Sequence, residues 1–111
     1  MSELTLSIKQ KWFDQIKAGV KKTETREIRP NNTEKYCVLD EEGNFVEPRH
    51  YDTIKLLTGA YQGTRPSMRV KVEKAEVFIL TDENGNDITF EENGETYAAA
   101  EIVYSLGGIL S

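Results

Sequence analysis

The chain is poor in the residues that build cross-links and metal sites. It has one cysteine, Cys37, and one histidine, His50, in 111 residues. A single thiol makes no intrachain disulfide, so the fold does not depend on oxidation, and a reducing compartment suits it. A zinc site made from Cys and His needs three or four such ligands, and two are present. Neither a metal nor a cofactor is therefore expected. No apolar run approaches the roughly 18 residues that cross a bilayer. Met1-Ser2-Glu3-Leu4 has no basic segment leading into an apolar one, so it does not read as a secretory signal. The expected location is the cytoplasm, with no membrane partner. Basic residues are also in deficit, 14 Lys and Arg against 19 Asp and Glu, for a formal net charge of -5. A protein that coats nucleic acid without specificity is usually basic, which disfavours that class.

What is present argues for a packed domain. Hydrophobic residues make up 38% and charged residues 30%, too apolar for disorder, and the aromatics run from Trp12 to Tyr104. A chain of this length usually folds around one core, so a single domain over residues 1–111 is expected. The charge is uneven. Residues 8–30 hold seven basic side chains (Lys9, Lys11, Lys17, Lys21, Lys22, Arg26, Arg29) against three acidic ones, net +4, which leaves seven basic and sixteen acidic elsewhere, net -9. A solvated face explains such a run as well as an electropositive site for a phosphate or other anion does.

Periodicity divides the chain. Leu4, Leu6 and Ile8 alternate with polar residues, as in a half-buried strand. Over residues 10–18 the period becomes helical: Trp12, Phe13 and Ile16 share an apolar face, and Gly19 stands where a left-handed residue ends a helix. Residues 21–29 read as a strand with charges on both faces, Lys22, Glu24, Arg26 and Ile28 on one and Lys21, Thr23, Thr25 and Glu27 on the other. Such a strand lies at an edge or lines a polar cavity. Residues 31–50 fit a small hairpin or an irregular insertion. Residues 51–57 form a strand, and 59–66 a glycine-flanked loop. Residues 67–80 form the longest strand, whose apolar phase slips near Glu73-Lys74 as it does at a bulge. Asn84-Gly85 and the segment ending at Gly94 mark turns, and residues 101–106 form a last strand before Gly107-Gly108. One early helix and five to seven short strands predict an α+β, mainly β fold: a small, strongly bent sheet or barrel with the helix packed against it.

The stretch Gly19-Val-Lys21-Lys-Thr-Glu24-Thr-Arg26 carries the functional signal. A Glu flanked by Lys and Arg offers fixed donors and acceptors, which suits a nucleobase with its ribose or phosphate: cations for the anion, carboxylate for exocyclic N–H groups. A cross-strand ladder of salt bridges with no ligand would use the same residues. Tyr61, in a glycine-flanked loop, is the best candidate to stack a base, whereas Trp12 and Phe13 read as core. Tyr36 and Tyr97 fit either role. Arg65 beside Pro66 is a candidate phosphate contact. His50 reads as a surface residue without a Ser or Asp partner, and Cys37 as a buried, inert thiol. Asp82-x-Asn84-Gly-Asn86-Asp87 has the acids of a calcium loop but lacks its sixth-position glycine and closing glutamate, so it reads as a hairpin turn.

Gly19, Lys21, Glu24 and Arg26 resemble, in order and spacing, the Gly-x-Lys-x-x-Glu-x-Arg signature of the ASCH superfamily. Leu6-x-Ile8-Lys9 before the helix and Phe13-x-x-Ile16 within it are similar as well. So is Tyr104-Ser-Leu-Gly-Gly-Ile-Leu110, which looks like the last strand of these domains, and Gly59-Ala-Tyr61 with Arg65-Pro66 resembles a loop of small phage-type members. The resemblance implies a PUA-like β-barrel with a cleft beside the helix, lined by the signature residues, that takes RNA or a modified nucleotide. It makes Lys9, Lys21, Glu24, Arg26, Tyr61 and Arg65 the expected ligand contacts. One branch of similar size hydrolyses 4-acetylcytidine with the signature Lys, a Thr at the position of Glu24 and a later Glu. Here Lys21 is kept, Glu24 replaces the Thr, and Glu73 or Glu76 would have to supply the later carboxylate.

Two readings follow. The first is a binding module for RNA or a nucleotide. The second is an amidohydrolase acting on 4-acetylcytidine or a related nucleoside, with Lys21 as base or nucleophile and Glu24 or Glu73 moving protons. The Glu24 carboxylate opposes the second by keeping the Lys21 ammonium charged, which favours binding. The acidic remainder favours a small nucleotide over a long polymer. A third class, an interaction protein meeting a basic partner through its acidic residues, would differ in showing no phosphate-linked salt dependence.

Overall fold

A computed structural model describes residues 2–58 and 66–110. In chain order its elements are β1 (Glu3–Ser7), α1 (Gln10–Lys17), β2 (Thr23–Ile28), α2 (Thr33–Tyr36), β3 (Cys37–Leu39), β4 (Phe45–Pro48), β5 (Thr53–Leu57), β6 (Ser67–Ile79), β7 (Thr89–Glu92), β8 (Glu95–Ala98) and β9 (Ala100–Ile109). The protein is mainly β with few helices. Five strands form one sheet in the order β1-β5-β6-β9-β2, and β3-β4 and β7-β8 are separate two-stranded ribbons. The two ribbons bring the strands among the described residues above the expected five to seven, and α2 adds a helix to the one expected.

The chain divides into two compact units. The first comprises Met1–Glu24, His50–Lys74 and Tyr104–Ser111, the second Thr25–Arg49 and Ala75–Val103. In the first unit, alternation builds the core. Leu4 pairs with Ile54 and Ile54 with Val70, while Leu6 pairs with Leu56 and Leu56 with Met68. All six side chains are buried, so two apolar rows cross three strands. Each such side chain contributes roughly 1.5–3 kcal/mol on leaving water. Phe13 and Ile16 of α1 are buried as well, and Phe13 shares a small cleft with Met68 and Ile109.

Trp12 departs from expectation. It is 38% exposed. Adjacent positions on a helix point about 100° apart, and a helix of only eight residues has one narrow buried stripe, which Phe13 and Ile16 fill.

The exit of α1 is a Schellman turn. Ala18 is the C-cap, Gly19 takes φ +78°, the Gly19 N–H donates to the Ile16 carbonyl, and the Val20 and Lys21 N–H groups both donate to the Gln15 carbonyl. These bonds delay β2 to Thr23, two residues later than the periodicity predicts. The burial of β6 alternates through Val72 and then loses its phase, where the pattern predicted a slip. β9 runs to Ile109, past the residue at which the last strand was expected to end. Gly107 and Gly108 continue it, and the Leu110 N–H donates to the Arg69 carbonyl.

The second unit is built from turns and ribbons. Residues 31–50 contain α2 and the β3-β4 hairpin. Arg49 ties them together: its side chain donates to the Glu34 and Cys37 carbonyls and its N–H to that of Tyr36. Asn93 and Gly94, at φ 54° and 82°, form the two-residue turn between β7 and β8, the twist-matched hairpin geometry. The Asp82 carboxylate accepts the Asn84 and Asn86 N–H groups, so the calcium-like segment is an Asx-type turn. No helix among the described residues is long and apolar enough to cross a membrane.

Candidate functional site

The segment after α1 is held where its sequence suggested. Gln15 anchors the backbone of Lys21, and the Lys22 carbonyl accepts the Leu106 N–H of β9 at 2.8 Å. The result is a groove of about 410 Å³ in the first unit, between the end of α1 and the end of β9. Lys17, Lys21 and Lys22 line it together with Ile16, Gly107 and Leu106. Three ammonium groups and no carboxylate make its lining electropositive in a protein of net charge -5. Lys17 also sits in the last turn of α1, where the helix dipole favours a cation.

Lys21 is half-buried and donates to the Thr23 carbonyl. An ammonium has three N–H donors, so that bond leaves two for a ligand. Its nitrogen lies 5.7 Å from the centre of the Trp12 ring, and that of Lys11 lies 4.8 Å away. Trp12 is therefore exposed next to two cations instead of serving the core. An indole beside ammonium groups combines a stacking face with positive charge, as sites for single-stranded nucleic acid do. Sequence pattern missed it because its spacing matches the core stripe; the lone signal was two bulky aromatics in succession on a short helix.

The other expected residues lie as follows. Glu24 is buried and Arg26 half-buried on one face of β2, with Thr23, Thr25 and Glu27 exposed on the other, the alternation read from the sequence. Neither is among the side chains lining the groove, and nor is Lys9, which is exposed at the N-cap of α1. Lys17 and Lys22, counted in the basic segment but not singled out, are there instead. Glu73, on β6, has its carboxylate against Gly107, so closely that a Cβ on Gly107 would collide with it. It thus touches the strand that floors the groove. Lys71 lies 3.9 Å from the same carboxylate. Glu76 is half-buried in the second unit. Tyr61 and Arg65 lie outside the described residues.

His50 is a surface residue, as expected, but it has a partner: its Nε2 is 3.1 Å from Asp52. Asp52 also accepts the Ser2 N–H, and these bonds hold its carboxyl below the usual range. The Ser2 hydroxyl bonds to backbone and not to the imidazole, so the three make no catalytic triad. Cys37 is buried, and loss of solvent pushes its thiol up against the opposing pull of Arg49. That leaves little thiolate, consistent with an inert cysteine.

A larger groove, about 550 Å³, lies in the second unit. No residue in the sequence-derived site set lines it. Its aromatic members are Phe90 and Tyr97, and its cations are Arg29 and Lys35. Tyr36, one of the two tyrosines left open by sequence, is buried.

Compared with known protein families, with curated proteins and with solved structures, the chain matches none.

Proposed function

We propose that the protein binds a nucleotide, free or within RNA, in the lysine-lined groove beside α1. One observation carries the reading: Lys17, Lys21 and Lys22 line a single groove while Trp12 stands within cation-π distance of Lys21. The ammonium groups answer a phosphate, the indole offers a stacking surface, and Gly108, with open space where a Cβ would stand, lets a ligand approach the strand backbone. Glu24 is buried one strand position beyond Thr23, outside the groove lining. The ASCH signature of Gly19, Lys21, Glu24 and Arg26, with a PUA-like barrel, belongs to this proposal; Gly19 and Lys21 line the groove, and Glu24 and Arg26 do not. A small ligand is favoured over a long polymer, because further phosphates would meet the acidic remainder of the chain.

Titration with 5′-cytidine monophosphate and with a hexacytidylate, followed by the fluorescence of Trp12, tests the reading. Trp12 is the single tryptophan, and its ring lies 5.7 Å from the Lys21 nitrogen that lines the groove, so its signal reports on the surroundings of Lys21. Quenching is expected, with affinity falling about tenfold in Lys21→Ala, the size of one charge-assisted hydrogen bond. A shallow salt dependence should accompany it, since few phosphates are engaged. Unchanged fluorescence with both probes, or equal affinity in Lys21→Ala, overturns it.

The amidohydrolase reading has one observation in its favour, the Glu73 carboxylate lying against Gly107 of the groove that Lys21 lines. Lys21 would serve as base or nucleophile and Glu73 would move the proton. Incubation with 4-acetylcytidine should then release acetate faster than the Lys21→Ala and Glu73→Gln variants do. Equal rates in all three proteins leave the binding role alone.

A further inference from the structure

We propose that the second unit carries its own nucleotide site, in the groove between the turn after β2 and the β7-β8 ribbon. It does not depend on the Lys21 groove, from which it differs in residues and in chemistry. Its volume, about 550 Å³, is within the range of small-ligand pockets.

The groove holds a built stack. Phe90 and Tyr97 are directly opposed across the ribbon, with ring centres 5.7 Å apart and planes inclined by 30°. The Arg29 guanidinium lies 4.3 Å from the Phe90 centre. Guanidinium, phenyl and phenol are thus consecutive neighbours, and all three line the same hollow. Nucleobases stack on aromatic rings and on guanidinium planes alike. Each part of the stack is fixed. Glu27 pairs with Arg29 at 2.6 Å, and the Tyr97 hydroxyl donates to Glu95 at 2.6 Å. The Asn93-Gly94 turn sets the ribbon so that Phe90 meets Tyr97.

The opposite wall is equally ordered. The Asn32 side-chain oxygen accepts the Arg29 N–H at 2.7 Å, its amide donates to the Glu27 carbonyl, and the Thr33 hydroxyl donates to the Arg29 carbonyl. The turn that presents Arg29 and Lys35 is therefore pinned before any ligand arrives, which lowers the ordering cost of binding. Arg29 has five N–H donors and one carboxylate partner in Glu27, so it can answer a phosphate as well. Lys35 adds a second cation, and Glu34 on the lining accepts exocyclic N–H groups of a base. An apolar stack bordered by two cations and one carboxylate suits a base joined to a phosphate better than it suits a phosphate alone.

The test is a ¹H–¹⁵N NMR titration of the full chain with three probes: 5′-cytidine monophosphate, hexacytidylate and inorganic phosphate. Amides of residues 29–35 and 89–98 are expected to shift with either nucleotide probe. Binding by the hexamer alone identifies RNA as the source, and binding by both identifies the nucleotide unit itself. Arg29→Ala should weaken the shifts about tenfold. Arg29→Lys, which keeps the charge and loses the plane, and Tyr97→Leu, which removes the ring, are the second variants should the first fail to fold, and each should weaken binding several-fold. The Lys21→Ala variant should leave these shifts intact, so failure of the α1 groove and failure of this one are separable. Absent shifts with both nucleotides, or shifts that phosphate alone reproduces in full, overturn the proposal.

Discussion

The two units bury their residues in different ways. In the first, the rows Leu4–Ile54–Val70 and Leu6–Leu56–Met68 cross three strands in strict alternation, and every member is buried. In the second, β4 shows Phe45 at 52% and Val46 at 55% exposure, and Phe78, Ile79 and Ile88 are exposed too. That unit also buries Ile28, Tyr36, Cys37 and Ile102, and adds side chains that bond to backbone: Arg49 on Glu34 and Cys37, Asn32 on Arg29 and Glu27, Asp82 on its own turn. Each such bond is worth about 0.5–1.5 kcal/mol net, whereas each buried aliphatic side chain is worth more. The first unit is thus held by continuous rows of packed strand residues, and the second by a smaller buried set supplemented by polar contacts to backbone. The candidate grooves follow suit. One is a cationic hollow on a regular strand end, the other a stack of rings set by a tight turn.

The largest expected effect separates the two modes directly. Ile54 is fully buried in the first unit, and Ile54→Ala should cost about 2–5 kcal/mol through lost burial and the cavity left behind. Phe45→Ser, at an exposed position of β4, should stay within about 0.5 kcal/mol. Urea unfolding of both variants measures this. Equal losses would break the contrast, because Phe45 would then be packing against something its exposure denies.

A smaller effect distinguishes two glycines of the first unit. At Gly19 nothing would meet a new Cβ, but φ is +78°, so Gly19→Ala should cost about 1–2 kcal/mol from the left-handed backbone alone. At Gly107 no positive φ is involved, and the obstacle is the Glu73 carboxylate. A flexible side chain can swing aside, so Gly107→Ala should cost less than Gly19→Ala while displacing the Glu73 carboxylate from its place against Gly107. Thermal unfolding ranks the two, and a Glu73-dependent change in ligand affinity with Gly107→Ala identifies the second mechanism.

The same contrast explains what was legible in the sequence. Strict alternation announced β1 and the first half of β6, and Gly19 announced the end of α1, because packing leaves a periodic trace. The groove segment was found through Lys21 for the same reason: it follows a recognisable helix stop. Residues 31–50 left no periodic trace, since Arg49 orders them through backbone carbonyls fifteen and twelve residues away, and carbonyls have no letter in a sequence. Trp12 was misassigned because spacing alone does not tell which of two adjacent aromatics a short helix buries. The Arg29–Phe90–Tyr97 stack joins positions about sixty residues apart in sequence, which no local pattern reveals. Asn93-Gly94 was visible as a turn, but only the register of Phe90 on Tyr97 shows what the turn is for.

The smallest effects should appear at opposite ends of the pH scale. In the first unit the Glu3 carboxylate accepts the Arg69 guanidinium at 2.7 Å and the Thr53 hydroxyl, and the Arg69 bond holds its carboxyl below the ordinary value of 4.5. Asp52 is likewise held below 3.8, first by the Ser2 N–H and then by His50. A depressed folded value means the folded state binds protons less readily than the unfolded chain. These contributions are therefore complete above the unfolded values and drain away as pH falls through the folded ones. In the second unit the sign reverses. The Tyr97 hydroxyl donates to Glu95, which raises the phenol above 10, so its contribution is complete below pH 10 and is lost as pH rises through the higher folded value. Glu3 and Asp52 are exposed and Tyr97 is half-buried, so solvent screens all three and each shift in midpoint will be small. Thermal midpoints measured across the full pH range should show an acid limb that Glu3→Gln flattens and Tyr97→Phe leaves alone, and an alkaline limb with the opposite response. An acid limb that moved with Tyr97→Phe would mean that the polar contacts of the second unit, and not the carboxylates along β1 and β5, set the acid sensitivity of the whole chain.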